Sequence, residues 1–175
     1  MNIVLIGYRC SGKTAVGKIL ARELGRDFQD TDALIEENTG SSIETIISED
    51  GWDHFRNIER RQIERVSKKD NLVISTGGGV VMDKENVKNL KRNGWLVWLN
   101  GKADILKERM EREQISGKFR PSLTGTDPLD EIKQALSVRI PLYQKTADLV
   151  VNTSALSLQE VAASIIKDIP QGLQG

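Results

Sequence analysis

The sequence predicts an α/β sandwich on a parallel sheet. Short apolar runs alternate with longer stretches of helical period, two of the runs end directly at glycines, and the first opens into a phosphate-binding pattern. Asn2 to Ile6 is almost continuously apolar and closes at Gly7, as a strand buried on both faces requires. From Lys13 the period changes: Val16, Ile19, Leu20 and Leu24 share one helical face, and Gly25 supplies a stop. Leu72 to Thr76, running into Gly77-Gly78-Gly79, and then Trp95 to Leu99 and Asp148 to Val151 read as further short strands. Helical stretches are expected at Ser42 to Lys68 with a break near Asp50-Gly51, Lys84 to Arg92, Ala103 to Glu113, Leu129 to Lys145 and Leu158 to Lys167. Residues 114–127 carry Gly117, Pro121 and Gly125 with few apolar anchors, which predicts a mobile loop. Residues 169–175 are expected to fray.

Composition narrows the class. A chain of 175 residues and 19.5 kDa with 38% hydrophobic residues suits one domain with one sizeable core. Its 25 Lys+Arg balance 25 Asp+Glu, so no net basic field favours nucleic acid or an anionic membrane. Cys10, the single cysteine, cannot close an intramolecular disulfide or build a cysteine zinc cage, and a reducing cytoplasm is expected. No apolar run approaches a membrane span. Balanced charge without an obvious apolar stripe predicts a monomer.

Gly7 to Thr14, GYRCSGKT, satisfies GxxxxGK[ST] between a buried strand and a helix, which is where that pattern has physical meaning. Polyphosphate needs inward-pointing backbone N–H groups and a helix N-terminus, and a wide loop with glycines at its bends can present both. Lys13 is then expected to neutralise β and γ oxygens, and the Thr14 hydroxyl to ligate Mg²⁺. Cys10 lies inside the loop near a helix N-terminus; a reactive thiol and a tolerated small side chain both stay open.

Asp27 to Asp32 reads as a short extended segment whose Asp30 and Asp32 would point the same way. One would hold a metal water shell and the other would accept a proton from an attacking hydroxyl, with turn formation and helix capping as the alternative. Arg56, Glu59, Arg60 and Ile63 recur at helical spacing, so Glu59 either fixes Arg56 or Arg60 or belongs to a surface ion-pair ladder. The triple glycine can bring backbone close to a ligand beyond the strand ends. His54 is expected to be a solvated helix residue, Trp95 and Trp98 to be core, and Trp52 to lie one turn before Arg56. Arg120 and Arg139 add two cations.

The cradle, the DTD triplet at Asp30, FRxIE from Phe55, GGG at Gly77, RP at Arg120 and RxPLY from Arg139 occur in this order, and together they resemble a shikimate kinase over nearly the whole chain. The resemblance implies a three-layer α/β/α sandwich with a five-stranded parallel sheet of P-loop kinase type. It also implies MgATP-dependent phosphorylation of the 3-hydroxyl of shikimate in aromatic amino-acid synthesis. Carried over by position, it implies nucleotide binding by Cys10, Ser11, Gly12, Lys13, Thr14 and Ala15, with Arg109 near adenine and Arg120 as a lid arginine. Thr14 and, through water, Asp30 would hold Mg²⁺; Asp32 would bind the acceptor hydroxyls; Arg56, Arg139 and the Gly78–Gly79 backbone would hold the substrate, with Glu59 in support. Lys13, Asp32 and Arg120 are the implied catalytic residues. The sequence departs from the family at Cys10, usually glycine, at Ile47, where phenylalanine is common, in a longer lid over residues 114–119, and near Asn152 to Ala155. A gluconate kinase and a catalytically silent nucleotide-binding regulator are the rival readings.

Overall fold

A computed structural model describes residues 1–115 and 127–171. In chain order the elements are β1 (Asn2–Ile6), α1 (Lys13–Leu24), β2 (Asp27–Asp30), α2 (Thr31–Thr39), α3 (Ile43–Ser67), β3 (Leu72–Ser75), a 3₁₀ turn (Val80–Met82), α4 (Lys84–Arg92), β4 (Gly94–Asn100), α5 (Ala103–Ile115), α6 (Pro128–Thr146), β5 (Leu149–Asn152) and α7 (Leu158–Lys167). The five strands pair in the order β2-β3-β1-β4-β5, and every pairing is parallel. From β1 the chain passes to the edge strand β2, returns to β3 beside β1, then crosses to β4 on the other side. The carboxyl end of β1 is therefore the topological switch point where such sheets leave a crevice.

The continuous apolar run of β1 is explained by burial on both faces. Ile3 and Leu5 pack with Val16 and Leu20 of α1 and Val161 and Ile165 of α7. Val4 and Ile6 turn the other way, onto Ile63 and Val66 of α3, Leu90 of α4 and Tyr143 of α6. Each of these strand side chains is at most 1% exposed, worth about 1.5–3 kcal/mol apiece relative to exposure. Trp95 and Trp98 are core, as expected, and Trp98 stacks on Tyr143 at 5.5 Å. Ile169, which the sequence placed in the fraying tail, is 4% exposed and packs into the α1–α7 face.

Local signals set the helix ends. Gly25 closes α1 with φ 62°, Ser42 caps α3, and Ser157 with Glu160 forms a reciprocal capping box on α7. Gly51 interrupts α3 with φ 83° and ψ 171°, the break foreseen at Asp50-Gly51. The expected extended segment through Asp32 ends at Asp30, whose carboxylate caps α2 by accepting from the Asp32 and Ala33 N–H groups; this is the helix-capping alternative for the two aspartates, on a helix, Thr31–Thr39, that was not among those expected. Residues 114 and 115 extend α5, and Asp127 caps α6, so both ends of the expected loop are helical in character; residues 116–126, Arg120 among them, lie outside the described residues. Among the described residues no helix is long and apolar enough to cross a membrane.

Gly94 opens β4 in a position without room for a side chain: a Cβ there would stand 2.5 Å from the Leu90 carbonyl oxygen and 2.8 Å from Val4 Cγ2. Backbone oxygen cannot rotate away, so Gly94→Ala is expected to cost about 1–3 kcal/mol, read as a lower denaturation midpoint at unchanged m-value.

Candidate active site

At the end of β1 the chain enters a loop that only small or left-handed residues can follow. Gly7 has φ 144°, and a Cβ on it would lie 2.6 Å from the Leu99 carbonyl oxygen. Gly12 has φ 95° and Cys10 φ 60°. Cys10 thus holds the conformation glycine takes most readily. The N-terminus of α1 has no side-chain cap and no acidic residue in its first turn, which leaves its N–H dipoles to an anion. Ala15 follows in that first turn, and Ser11 Oγ is buried without a hydrogen-bond partner among the described residues. Lys13 folds back over the loop and donates from Nζ to the Tyr8 carbonyl at 2.8 Å.

Thr14 Oγ1 donates to Asp30 Oδ2 at 2.7 Å and lies 3.5 Å from Ser75 Oγ. Among the described residues no group of three or more acidic, histidine or cysteine side chains forms a metal cage. One hydroxyl beside one carboxylate, at the mouth of a phosphate loop, is an oxygen donor set that fits Mg²⁺. That ion keeps several waters and takes its other ligands from phosphate. Asp30 therefore both caps α2 and faces Thr14, and the expectation that Asp30 and Asp32 share one face of a strand is corrected. The helix start between them sends Asp32 into a different compartment.

That compartment is a cavity of about 350 Å³ on the other side of Gly78. Arg9, Asp32, Glu44, Arg56, Glu59 and Arg139 give it charge; Ile43, Ile47 and Phe55 give it an apolar wall. The triple glycine is explained residue by residue. A Cβ on Gly77 would meet Asp32 Oδ1 at 2.7 Å, one on Gly78 the Arg9 backbone nitrogen at 3.2 Å, and one on Gly79 the Arg56 Nη2 at 2.5 Å. The Gly78 carbonyl, moreover, accepts from Tyr143 Oη at 2.5 Å and from Arg139 Nη1 at 3.4 Å, so the turn aims the guanidinium of Arg139. Burial pushes the Tyr143 phenol well above its ordinary range, which keeps it a donor.

Of the two arginines open to Glu59, the fold selects Arg56, whose Nη1 donates to Glu59 Oε2 at 2.7 Å; Arg60 instead makes a two-pronged contact with Asp83 at 2.9 and 2.7 Å. Glu59 is 1% exposed, and burial raises its carboxyl despite the adjacent guanidinium. Trp52 and Phe55 each place a ring 5.2 Å from the Arg56 guanidinium, so this cation is held by a carboxylate and two aromatic faces. His54 is exposed on the same helix, as expected.

On the far wall, Arg109 of α5 donates to the Thr153 carbonyl at 2.6 Å, to Thr153 Oγ1 at 3.2 Å and to the Cys10 carbonyl at 3.4 Å. It ties the phosphate loop to the segment after β5. One turn on, Glu113 accepts from the Cys10 thiol at 3.3 Å. The structure thus sets Thr14 beside Asp30, ties Arg109 to the phosphate loop, and lines the adjoining cavity with Asp32, Arg56, Gly78, Gly79 and Arg139, all around one crevice, while Arg60 and His54 lie apart from it. Tyr8, Arg9, Glu131 and Ser75 also belong to it and were missed. Arg9 and Glu131 are joined at 3.0 Å across 122 positions, a pairing no local pattern announces.

Cys10 resolves toward the inert alternative. Burial first, and then the Glu113 carboxylate, push its thiol from 9.0 up to about 12. At pH 8 its alkylation by iodoacetamide is expected to run on the order of a hundredfold or more below that of the urea-unfolded chain, and Glu113→Ala should speed it. Equal rates in folded and unfolded protein would contradict this account of the loop.

A model of the family described as shikimate kinase matches residues 9–170. The shikimate kinase of Thermodesulfovibrio yellowstonii is 43% identical over 167 residues, covering 95% of this chain and 94% of that one. Among solved structures, the shikimate kinase from Acinetobacter baumannii in complex with shikimate matches with a TM-score of 0.88 at 32% identity, covering 95% of this chain and 90% of that chain. A gluconokinase from Sinorhizobium meliloti 1021 shares the fold alone, at a TM-score of 0.58 and 18% identity over 95% of this chain and 89% of that chain. Similarity that runs through both the phosphate loop and the charged cavity leaves one assignment: the chain belongs to the shikimate kinase family.

Proposed function

We propose that this protein transfers the γ-phosphoryl group of ATP to the 3-hydroxyl of shikimate, giving shikimate 3-phosphate and ADP. The observation that carries the reading is the placement of two unlike sites on either side of Gly78. One is a loop of helix N–H dipoles without a side-chain cap, with Lys13; the other is a small cavity where Asp32 faces hydroxyls and arginines face an acid. A polyhydroxylated ring carrying a carboxylate fits the second, and a polyphosphate fits the first.

In this reading Lys13 leaves the Tyr8 carbonyl to meet the β and γ oxygens, and residues 10–15 wrap the phosphates with backbone N–H groups. Arg109 stands beside the nucleotide base. Thr14 and Asp30 would hold Mg²⁺, which would supply charge neutralisation for the phosphate oxygens. Arg139, Arg56 and the Gly78–Gly79 backbone fix the acid end of the acceptor, with Glu59 keeping Arg56 in place. Asp32 accepts a hydrogen bond from the attacking hydroxyl and orients its lone pair in line with the phosphorus. Arg120, outside the described residues, is assigned to the transferring phosphoryl group. No covalent enzyme intermediate is required. All these groups come from one chain, which supports action as a monomer, and a free cysteine with dependence on ATP supports a cytoplasmic location.

A coupled assay of ADP release tests the reading: turnover is expected with shikimate and at background level with gluconate or with no acceptor. Lys13→Ala should lower kcat by about a hundredfold or more, as the loss of one preorganised charge does in other transfers. Asp32→Asn should lower it by about 10²–10⁴-fold. Arg139→Ala should instead raise the shikimate KM by about tenfold to a hundredfold, the worth of a hydrogen bond to a charged group. Full activity in Asp32→Asn, or equal turnover with gluconate, would overturn the assignment.

A further inference from the structure

Two guanidiniums stand over one ring. Arg139, from α6, lies 5.4 Å from the centroid of Tyr8, and Arg9, from the phosphate loop, lies 5.8 Å from the same centroid. Both arginines line the acceptor cavity. The π face of Tyr8 attracts each cation, but it does not cancel their mutual repulsion in a site partly closed to water. The offset comes from Glu131 in the first turn of α6, whose Oε1 accepts from Arg9 Nη2 at 3.0 Å; the two side chains are 20% and 5% exposed.

Arg139 is differently placed. It donates to the Gly78 carbonyl, lies over the Tyr8 ring and neighbours the Tyr143 hydroxyl, and among the described residues it forms no ion pair with a carboxylate. Its positive charge is thus left for a substrate anion, provided Arg9 does not drive it off the ring.

We propose that Glu131 is a positioning residue for acceptor binding: by neutralising Arg9 it allows two arginines to share Tyr8 and keeps Arg139 aimed at the substrate carboxylate. This rests on reading the cavity as the shikimate site. A consequence follows that a simple tether between the phosphate loop and α6 would not have. If Glu131 serves only to hold α6, removing either partner costs the same and removing both costs no less. If it serves to cancel charge, the damage done by removing Glu131 is repaired by removing the cation it cancels.

The test is the shikimate KM, with kcat and the ATP KM measured alongside, in Glu131→Gln, Glu131→Asp, Arg9→Met and the double variant Arg9→Met/Glu131→Gln. Glu131→Gln is expected to raise the shikimate KM about tenfold, with smaller changes in kcat and ATP KM, the loss of one charge-assisted contact. Glu131→Asp, which keeps the charge, should stay within about threefold of the parent protein, and the double variant should return most of the way to the parent value. KM reports the folded fraction only, so a variant that folds less well still counts. Losses that add in the double variant, or a Glu131→Asp value matching Glu131→Gln, overturn the proposal; should Glu131→Gln not fold, a double variant with KM raised tenfold or more does the same. An unmodified protein that does not bind shikimate at all would instead defeat the reading of the cavity.

Discussion

Everything in the site depends on how closely two backbone turns can approach at the end of the sheet. β1 and β3 are neighbouring parallel strands, paired from Ile3 with Val73 to Leu5 with Ser75, and both end in glycine-containing turns at the same edge. Thr76 fastens them there, donating from its N–H and its Oγ1 to the Leu5 carbonyl at 3.2 and 2.9 Å. Beyond that point Gly78 passes so near the phosphate loop that any Cβ would sit 3.2 Å from the Arg9 nitrogen. Parallel pairing thus sets the direction of both turns, and the missing side chains set the distance. A donor held in one turn and an acceptor held behind the other are brought together by backbone alone, before any side chain is considered.

Charge is then arranged around that contact mostly in neutral pairs. Arg56 is matched to Glu59, Arg9 to Glu131 and Arg60 to Asp83. Pairs of this kind hold geometry more than they add stability, since desolvation offsets much of their attraction, yet breaking a buried one costs about 3–5 kcal/mol. Glu59 shows the balance: its carboxyl is raised, because burial outweighs even a guanidinium at 2.7 Å. Arg139 donates to the Gly78 carbonyl and Lys13 to the Tyr8 carbonyl, oxygens that orient each cation. The two cations so held belong to opposite sides of the contact, one for an acid group and one for phosphate.

The parts legible in the sequence were those governed by local rules. Burial on both faces made β1 a continuous apolar run, a left-handed stop marked Gly25, and GYRCSGKT announced its loop because glycine and lysine sit where anion geometry demands. Gly51 even placed the kink in α3. The helix α2 was hidden because Asp30 has two jobs: as the last residue of β2 it continues an extended pattern, while its carboxylate starts the next helix. The triple glycine was recognised as a place of close approach, but what approaches is mainly protein, namely Asp32, Arg9 and Arg56, which only the tertiary fold reveals. Arg9 with Glu131 and Tyr8 with Arg139 join residues more than a hundred positions apart, beyond the reach of any periodicity.

The most direct test of this arrangement is a crystal structure of the protein with shikimate and a non-hydrolysable ATP analogue bound together. The account predicts the shikimate carboxylate within hydrogen-bonding distance of Arg56 and Arg139, its ring hydroxyls at Asp32, and the terminal phosphate on the loop of residues 7–14 facing the 3-hydroxyl past Gly78. Shikimate bound elsewhere, or seated with its carboxylate turned toward Asp32, would contradict it.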